Sequence, residues 1–415
     1  MPPMSASPVI LEIQRLGAQG DGVTELDGKQ IFVPLTLAGE TVTAEINGDR
    51  ARVIDIIRPS ADRVAARCSH YGECGGCSLQ HLADDQYLAL KRDHVVTALS
   101  YQKIEASVDP VVSIVPQSRR RAVFAAHRAG NGVAIGFHGR RSHRIVPISD
   151  CAVITPGLLG LLPRLQRIAL IAAPHKDALT ITATETTTGF DVALIGVAKA
   201  FPADDRLRAV QTANELGFAR LSINGEVVME RVTPSLPAGV AQLMPPPGGF
   251  LQACAASEAA MLELVQEAIG DARRVVDLFA GSGTFTLPLA STATVHAAES
   301  DGPAIASLER AAKRAQGLKP ITLEKRDLFR RPLTRDELKR FDAAVIDPPR
   351  AGAEAQTQQL AASAVKRVAM VSCNAQTFAR DLSIMLKGGW RVMRITPIDQ
   401  FLWSPHIEIV AQLRR

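Results

Sequence analysis

The sequence predicts an α/β protein whose C-terminal part is a doubly wound parallel sheet, preceded by a small N-terminal β-barrel and a central α+β region. Three observations carry this. From Phe250 onward, short apolar strands alternate with segments of helix length, a grammar that calls for a parallel sheet covered by helices. The first sixty residues instead hold closely spaced apolar alternation with the pairs Asp27-Gly28 and Asn47-Gly48 between runs, the strongest short-range hairpin signal. Between these parts, Pro245-Pro246-Pro247-Gly248-Gly249 punctuates the chain. The predicted division is therefore residues 1–60, 61–245 and 246–415.

At 415 residues the chain is too long for one ordinary core. A hydrophobic fraction of 47% with 21% charged residues excludes a disordered or fibrous class. No basic stretch followed by an apolar block opens the chain, and the greasiest segment, 158–173, is broken by Pro163, Arg164 and Arg167. A cytosolic protein without a membrane span is the expectation.

The N-terminal unit reads as strands at 9–16, 23–26, 30–33, 40–46 and 52–57, which close most easily as a barrel of the oligonucleotide-binding type. The central region opens with clustered cysteines and a helix over 84–100. It continues with strands at 123–127 and 133–137 joined through Asn131-Gly132, and with hairpins over 179–193 and 221–229. An antiparallel sheet is expected there. In the C-terminal region Arg274–Leu278, 295–299, Ala343–Ile346 and Arg367–Ser372 are the parallel strands, with 390–396 and 407–413 pairing antiparallel at an edge.

Charge is more telling in its distribution than in its net value of +5. Between Arg119 and Ser149 there are seven Arg and three His with no Asp or Glu, a pattern that reads as a phosphate-tracking surface rather than a solvated face. Cysteines stand at 68, 74, 77, 151, 254 and 373; in a cytosolic chain, a clustered set suggests metal rather than disulfides. Four thiolates suit zinc or an iron–sulfur centre, and spacing does not choose between them.

The candidate pocket lies at the carboxyl edge of the parallel sheet, where open α/β folds bind ligands. Asp277-Leu278-Phe279-Ala280-Gly281-Ser282-Gly283 runs from a strand into a glycine turn. A dinucleotide fingerprint would want glycine where Thr286 stands, so a different nucleoside-bearing cofactor is favoured. Glu299 ends the next strand, placed for a ribose. Asp347-Pro348-Pro349-Arg350 follows another strand, Cys373-Asn374 a further one, and His406-Ile407-Glu408 opens the last. A thiol, an Asp, a His and a Glu at one sheet edge suffice for nucleophilic catalysis with a general base.

These residues, in this order, resemble the bacterial RNA uracil-5 methyltransferase family, whose catalytic unit is a Rossmann-like methyltransferase domain. The resemblance implies Cys373 as nucleophile and Glu408 as base. It also implies that S-adenosylmethionine is held by Gln252, Phe279, Glu299 and Asp347, with Asp327 near the adenine. Cys68, Cys74, Cys77 and Cys151 match the [4Fe–4S] ligands of the family's ribosomal RNA branch, and the first sixty residues resemble the RNA-binding TRAM domain. The implied partner is RNA, large-subunit (23S) ribosomal RNA rather than transfer RNA, with no obligate protein partner. The chain departs from the family pattern at Ala253-Cys254, Thr284, Ala375 and the Phe-Leu-Trp-Ser-Pro before His406. Two other readings are an amino-group methyltransferase and a non-catalytic RNA-binding factor. Arg350 in place of an aromatic speaks against the first, and intact Cys373 and Glu408 against the second.

Overall fold

The computed structural model describes residues 8–415; of the N-terminal stretch read for a leader segment, and of the 1–60 unit, residues 1–7 lie outside the described residues. Six strands build the first sheet: β1 (Val9–Glu12), β2 (Arg15–Leu16), β3 (Gly22–Leu26), β4 (Lys29–Val33), β5 (Thr41–Asn47) and β6 (Arg50–Arg58), in the order β1-β5-β6-β4-β3-β2. Only two residues separate β1 from β2, and they pair with β5 and β3 respectively, so one bent strand closes the sheet on itself. Inward alternation places Leu11, Ile13, Ile31, Val33, Val42 and Ala44 in its core. Asp27 and Gly28 both take positive φ, as a two-residue hairpin turn requires. At the other hairpin Asn47 pairs with Arg50, so the turn is Gly48-Asp49, one residue later than the sequence suggests.

The second sheet comprises β7 (Arg121–Ala129), β8 (Gly132–His138), β9 (Ile145–Pro147), β10 (Leu179–Thr186), β11 (Gly189–Ile195), β12 (Arg220–Ile223) and β13 (Glu226–Glu230), in the order β13-β12-β11-β10-β7-β8-β9. It is not wholly antiparallel as expected. β11 and β12 run parallel, because the helix Ala203–Glu215 carries the chain back before β12 begins. The segment 158–173 is amphipathic helix, Pro156–Ala172, burying Leu158, Leu161, Leu162, Leu165 and Ile168 against this sheet. No helix among the described residues is long and apolar enough to cross a membrane.

After a short hairpin of β14 (Leu236–Ala238) and β15 (Ala241–Leu243), the third sheet follows. Its strands are β16 (Arg274–Leu278), β17 (Thr294–Glu299), β18 (Ile321–Lys325), β19 (Ala343–Ile346), β20 (Arg367–Ser372), β21 (Arg391–Ile398) and β22 (Glu408–Arg414), in the order β18-β17-β16-β19-β20-β22-β21. The first five are parallel. β18 escaped the sequence reading because its face is only half-buried. Of the two terminal strands, β22 is inserted between β20 and β21 and only β21 is at the edge. Val275, Val345, Ala369 and Val410 fill one layer under the helix Ala255–Ile269, and Val276, Ile346, Val368 and Ile409 face the other. Between β16 and β19 the winding reverses, leaving a crevice at their carboxyl ends.

Candidate active site

That crevice opens into a cavity of about 400 Å3. Gln252, Phe279, Gly281, Glu299, Asp347, Arg350, Cys373 and Glu408 all line it, so the two residues expected to do chemistry share one chamber with the glycine turn. Five of them stand at the ends of different strands: Phe279 after β16, Glu299 on β17, Asp347 after β19, Cys373 after β20, Glu408 opening β22. Their sequence separation is large because each parallel strand needs its own crossover.

The glycine turn leads into only a short helix. Only four residues, Thr286–Leu289, are helical after it, and the Gly281 amide is already taken by Glu299 Oε2 at 3.0 Å. The amides of Ser300 and Asp301 hold the other Glu299 oxygen at 2.6 and 2.8 Å. Gly281 has φ +54, which a side chain rarely adopts. Gly283 is glycine for packing rather than for a ligand: a Cβ there would meet Leu308 at 2.5 Å. Phe279 itself sits at φ 65, a costly conformation for an aromatic residue and of the kind that clusters at functional sites. Its ring lies 5.4 Å from that of Phe329. Asp327 does not line the cavity; its Oδ1 accepts from the amides of Phe329 and Arg330 and so shapes the turn that presents Phe329.

His406 does not join the cluster. β22 begins at Glu408, so His406 lies in the preceding turn, not on the strand face expected for it. Its Nδ1 is 2.8 Å from Arg350 Nη2, and since a guanidinium only donates, the ring is an acceptor there and neutral. Burial, with Arg350 beside it, pulls its pKa down. Asn374 works as a cap: its Oδ1 accepts from the amides of Gln376 and Thr377, starting the helix Ala375–Lys387, while its Nδ2 donates to Arg350 O.

Burial dominates the electrostatics. It pushes Glu408 up to about 8, with Asp347 adding to the rise and the Gln400 hydrogen bond and Arg350 opposing it. Asp347 is pushed up to about 7 by burial and then by Asp277. Asp277, behind the glycine turn, rises to about 6 although Thr286 Oγ1 donates to it at 2.6 Å. The Cys373 thiol is pushed up to about 11 by burial, then Glu408 and Asp347, with Arg350 drawing it back. Carboxyls poised near neutrality beside a thiol can hold and pass a proton at physiological pH. Asp277 opens the glycine-turn motif but carries no role assigned from sequence, and Gln400 sits in no pattern that marks it.

A second cavity, of about 260 Å3, is lined by Cys68, Cys74, Cys77 and Cys151 together with Arg119. Burial raises the Cys68 and Cys74 thiols and takes Cys77 to about 12. Among the described residues no three Cys, His, Asp or Glu side chains converge tightly enough to hold a single ion. The cysteine loop is tied to the basic hairpin, with Gly75 N donating to His138 O and Arg140 N to Glu73 O.

The Arg-rich segment is less of a free basic surface than its composition suggests. Arg120 is buried and paired with Glu258 at 2.7 Å. Arg119 Nε donates to Arg121 O, and Arg121 donates to Gly248 O. Arg140 joins Arg50 on Asp21. The exposed residues are the three histidines with Arg141 and Arg144, which pair at the surface with Asp21 at 3.4 Å and Glu73 at 3.2 Å. Acids remote in sequence neutralise what looked unneutralised.

Comparison with known proteins agrees with this architecture. The family profile described as tRNA (Uracil-5-)-methyltransferase matches residues 242–415. An uncharacterized RNA methyltransferase of Caulobacter vibrioides is 47% identical, covering 98% of this chain and 99% of that protein. One from Rhizobium meliloti is 46% identical, covering 97% and 98%. The 23S rRNA (uracil(1939)-C(5))-methyltransferase RlmD of Pseudomonas putida is 33% identical, covering 97% and 92%. The crystal structure of Pyrococcus abyssi tRNA (uracil-54, C5)-methyltransferase in complex with S-adenosyl-L-homocysteine shares the fold, with a TM-score of 0.75 at 24% identity over 98% of this chain and 100% of that one. With the catalytic-domain profile, near full-length relatives and the arrangement of the pocket in agreement, the chain belongs to the RNA uracil-5 methyltransferase family and is an S-adenosylmethionine-dependent enzyme.

Proposed function

We propose that this enzyme methylates carbon 5 of a uridine in 23S ribosomal RNA through a covalent adduct on Cys373. The observation that carries the reading is the presence of Cys373 and Glu408 in one cavity with the glycine turn and Glu299. Carbon 5 of a neutral uracil is a poor nucleophile. Addition of the Cys373 thiolate to carbon 6 moves the ring's π electrons onto carbon 5 and the neighbouring carbonyl, and the enolate then attacks an electrophilic methyl. S-adenosylmethionine supplies that methyl from a sulfonium, whose positive charge also favours the ionised forms of the carboxyls lining the pocket. Glu408 next takes the proton from carbon 5; the electron pair re-forms the double bond and expels the Cys373 thiolate. Arg350, drawing the thiol's pKa down, favours the thiolate at the start.

Gln252, Phe279, Glu299 and Asp347 are the proposed grip on the methyl donor, with Asp327 acting from beside Phe329. For the four cysteines the proposed occupant is a [4Fe–4S] cluster. The resemblance to the ribosomal RNA branch carries that choice over zinc; a [4Fe–4S] centre bonds one thiolate at each iron, and all four thiols line one cavity. The N-terminal sheet is proposed as a TRAM-like RNA-binding barrel, residues 61–245 as an RNA-binding unit carrying the cluster, and 246–415 as the catalytic domain. Identity to the 23S-specific relative favours ribosomal RNA as substrate.

The decisive experiment uses RNA in which the target uridine is 5-fluorouridine, whose carbon 5 carries no removable proton. Wild-type enzyme with S-adenosylmethionine should form a stable protein–RNA adduct, and Cys373→Ala should form none while still binding S-adenosylhomocysteine. An adduct that persists in Cys373→Ala overturns the mechanism.

A further inference from the structure

Beneath the pocket, the side chain of Gln400 joins residues from distant parts of the chain. Its Nε2 donates to Gln252 Oε1 at 2.9 Å and to Glu408 Oε1 at 3.1 Å. Its Oε1 accepts from Ser257 Oγ at 2.6 Å. Gln400 is 2% exposed, so no water competes for these bonds. Ser257 stands in the first turn of the helix Ala255–Ile269, and Gln252 lies three residues before that helix. One buried amide thus ties the entry of the C-terminal unit to the first residue of its inserted strand.

We propose that Gln400 is a positioning residue that holds Glu408 ready to accept the uracil proton and couples the protonation of Glu408 to the methyl-donor side of the pocket through Gln252. The proposal rests on Glu408 being the base. An ionised Glu408 only accepts, and the Gln400 amide meets it with a donor. Once Glu408 has taken a proton on Oε1, that oxygen donates (a proton on Oε2 would leave the bond unchanged), and the same amide then matches it by turning its oxygen toward it. The surroundings allow that turn. Ser257 Oγ is also 2.9 Å from Cys254 O, so its single proton has a second acceptor, and its oxygen can then receive the Gln400 amide. The turn reverses the demand on Gln252, which must then donate where it had accepted. In the present arrangement Gln252 Nε2 has no protein acceptor among the described residues and is available to a ligand; after the turn it is not. Proton capture by Glu408 would thereby loosen the hold on the spent methyl donor.

The other groups facing Glu408 are Asp347 and Arg350 from the segment after β19 and Cys373 from the end of β20. None of them can exchange donor for acceptor by turning, as an amide does; Asp347 and Cys373 do so only by gaining or losing a proton.

Gln400→Met keeps the length of the side chain and removes the amide. The pH dependence of release of the methylated covalent species, in single turnover, should then move up by about one pH unit, since a lost hydrogen bond to an ionised carboxyl disfavours that form. S-adenosylhomocysteine affinity, which in the wild type should change between pH 7 and 9, should lose that dependence. Should Gln400→Met fold poorly, Ser257→Ala tests the same ladder and should move the pH dependence the same way by less. A lowered melting temperature with an unmoved pH midpoint in both variants reduces Gln400 to a packing role and overturns the proposal. If instead Glu408→Gln releases product at the wild-type rate, the base assignment itself fails, and that result is separable from the behaviour of Gln400.

Discussion

Lys91 and Asp399, 308 positions apart in the chain, form an ion pair in which neither side chain is more than 1% exposed. Lys91 Nζ also donates to Phe401 O at 2.9 Å and His406 O at 2.7 Å, and Tyr87 OH donates to Asp399 while accepting from Trp403 N. The helix Asp84–Tyr101, which follows the cysteine loop, therefore clamps the segment that carries Gln400 and leads into Glu408. Ser78 N and Leu79 N, next to Cys77, add bonds to Trp403 O. The loop before the proposed base has its conformation set by a distant part of the chain.

Removing one partner of this pair should be costly. Lys91→Met leaves Asp399 buried with one cation fewer, a change of about 3–5 kcal/mol in comparable sites. Lower melting temperature and weaker methyl transfer are expected together. The double variant Lys91→Met/Asp399→Asn should recover part of the stability, and thermal unfolding of both checks this.

The pH dependence follows from Glu408. A base with pKa about 8 is mostly protonated at pH 6, so release of methylated RNA should rise about tenfold per pH unit below 8 and level off above it. Stability should run the other way. The folded pKa lies above that of an unfolded carboxyl, so the favourable contribution of the proton is complete below about 4.5 and is lost as pH rises through about 8. Glu408→Gln should therefore raise the melting temperature more at pH 9 than at pH 5. The same variant should accumulate a covalent species on ordinary uridine RNA, detectable on a denaturing gel. A melting gain that is equal at both pH values would contradict a strongly perturbed Glu408.

The cysteine cavity can be tested by its contents. Protein purified without oxygen should be brown and carry close to four iron and four sulfide per chain, as a [4Fe–4S] centre requires. Cys74→Ser should lose the colour and weaken RNA binding, since the loop it anchors is bonded to the basic hairpin, while S-adenosylhomocysteine binding survives. Stoichiometric zinc with negligible iron would rule the assignment out.

The buried and the exposed arginines should separate in salt titrations. Replacing Arg141 and Arg144 with Ala should lower the slope of log affinity against log salt by roughly 0.7 to 0.9 for each phosphate that is no longer neutralised. Arg120→Ala should leave that slope unchanged and lower stability instead, because it abandons Glu258 in a largely buried pair.

What the sequence by itself determined were features encoded over a few neighbouring residues. Asp27-Gly28 and Asn224-Gly225 both take the positive φ that their turns require. The alternation of β16, β17, β19 and β20 with helices specified a parallel sheet and, with it, the edge at which Phe279, Glu299, Asp347 and Cys373 emerge. The tertiary structure alone decided whatever depends on partners far along the chain. It inserted β22 inside the sheet, which gives Glu408 a buried seat while His406 turns away to Arg350. It neutralised Arg120 with Glu258 and Arg140 with Asp21, acids 138 and 119 positions away. It also set Gln400 between Gln252 and Glu408, 148 and 8 positions distant. The physical reason is one of range. Backbone preferences and hydrophobic period act between neighbours and leave a local signature. A buried charge or amide must instead be satisfied by whatever folding brings within about 3 Å, and no local pattern records that partner.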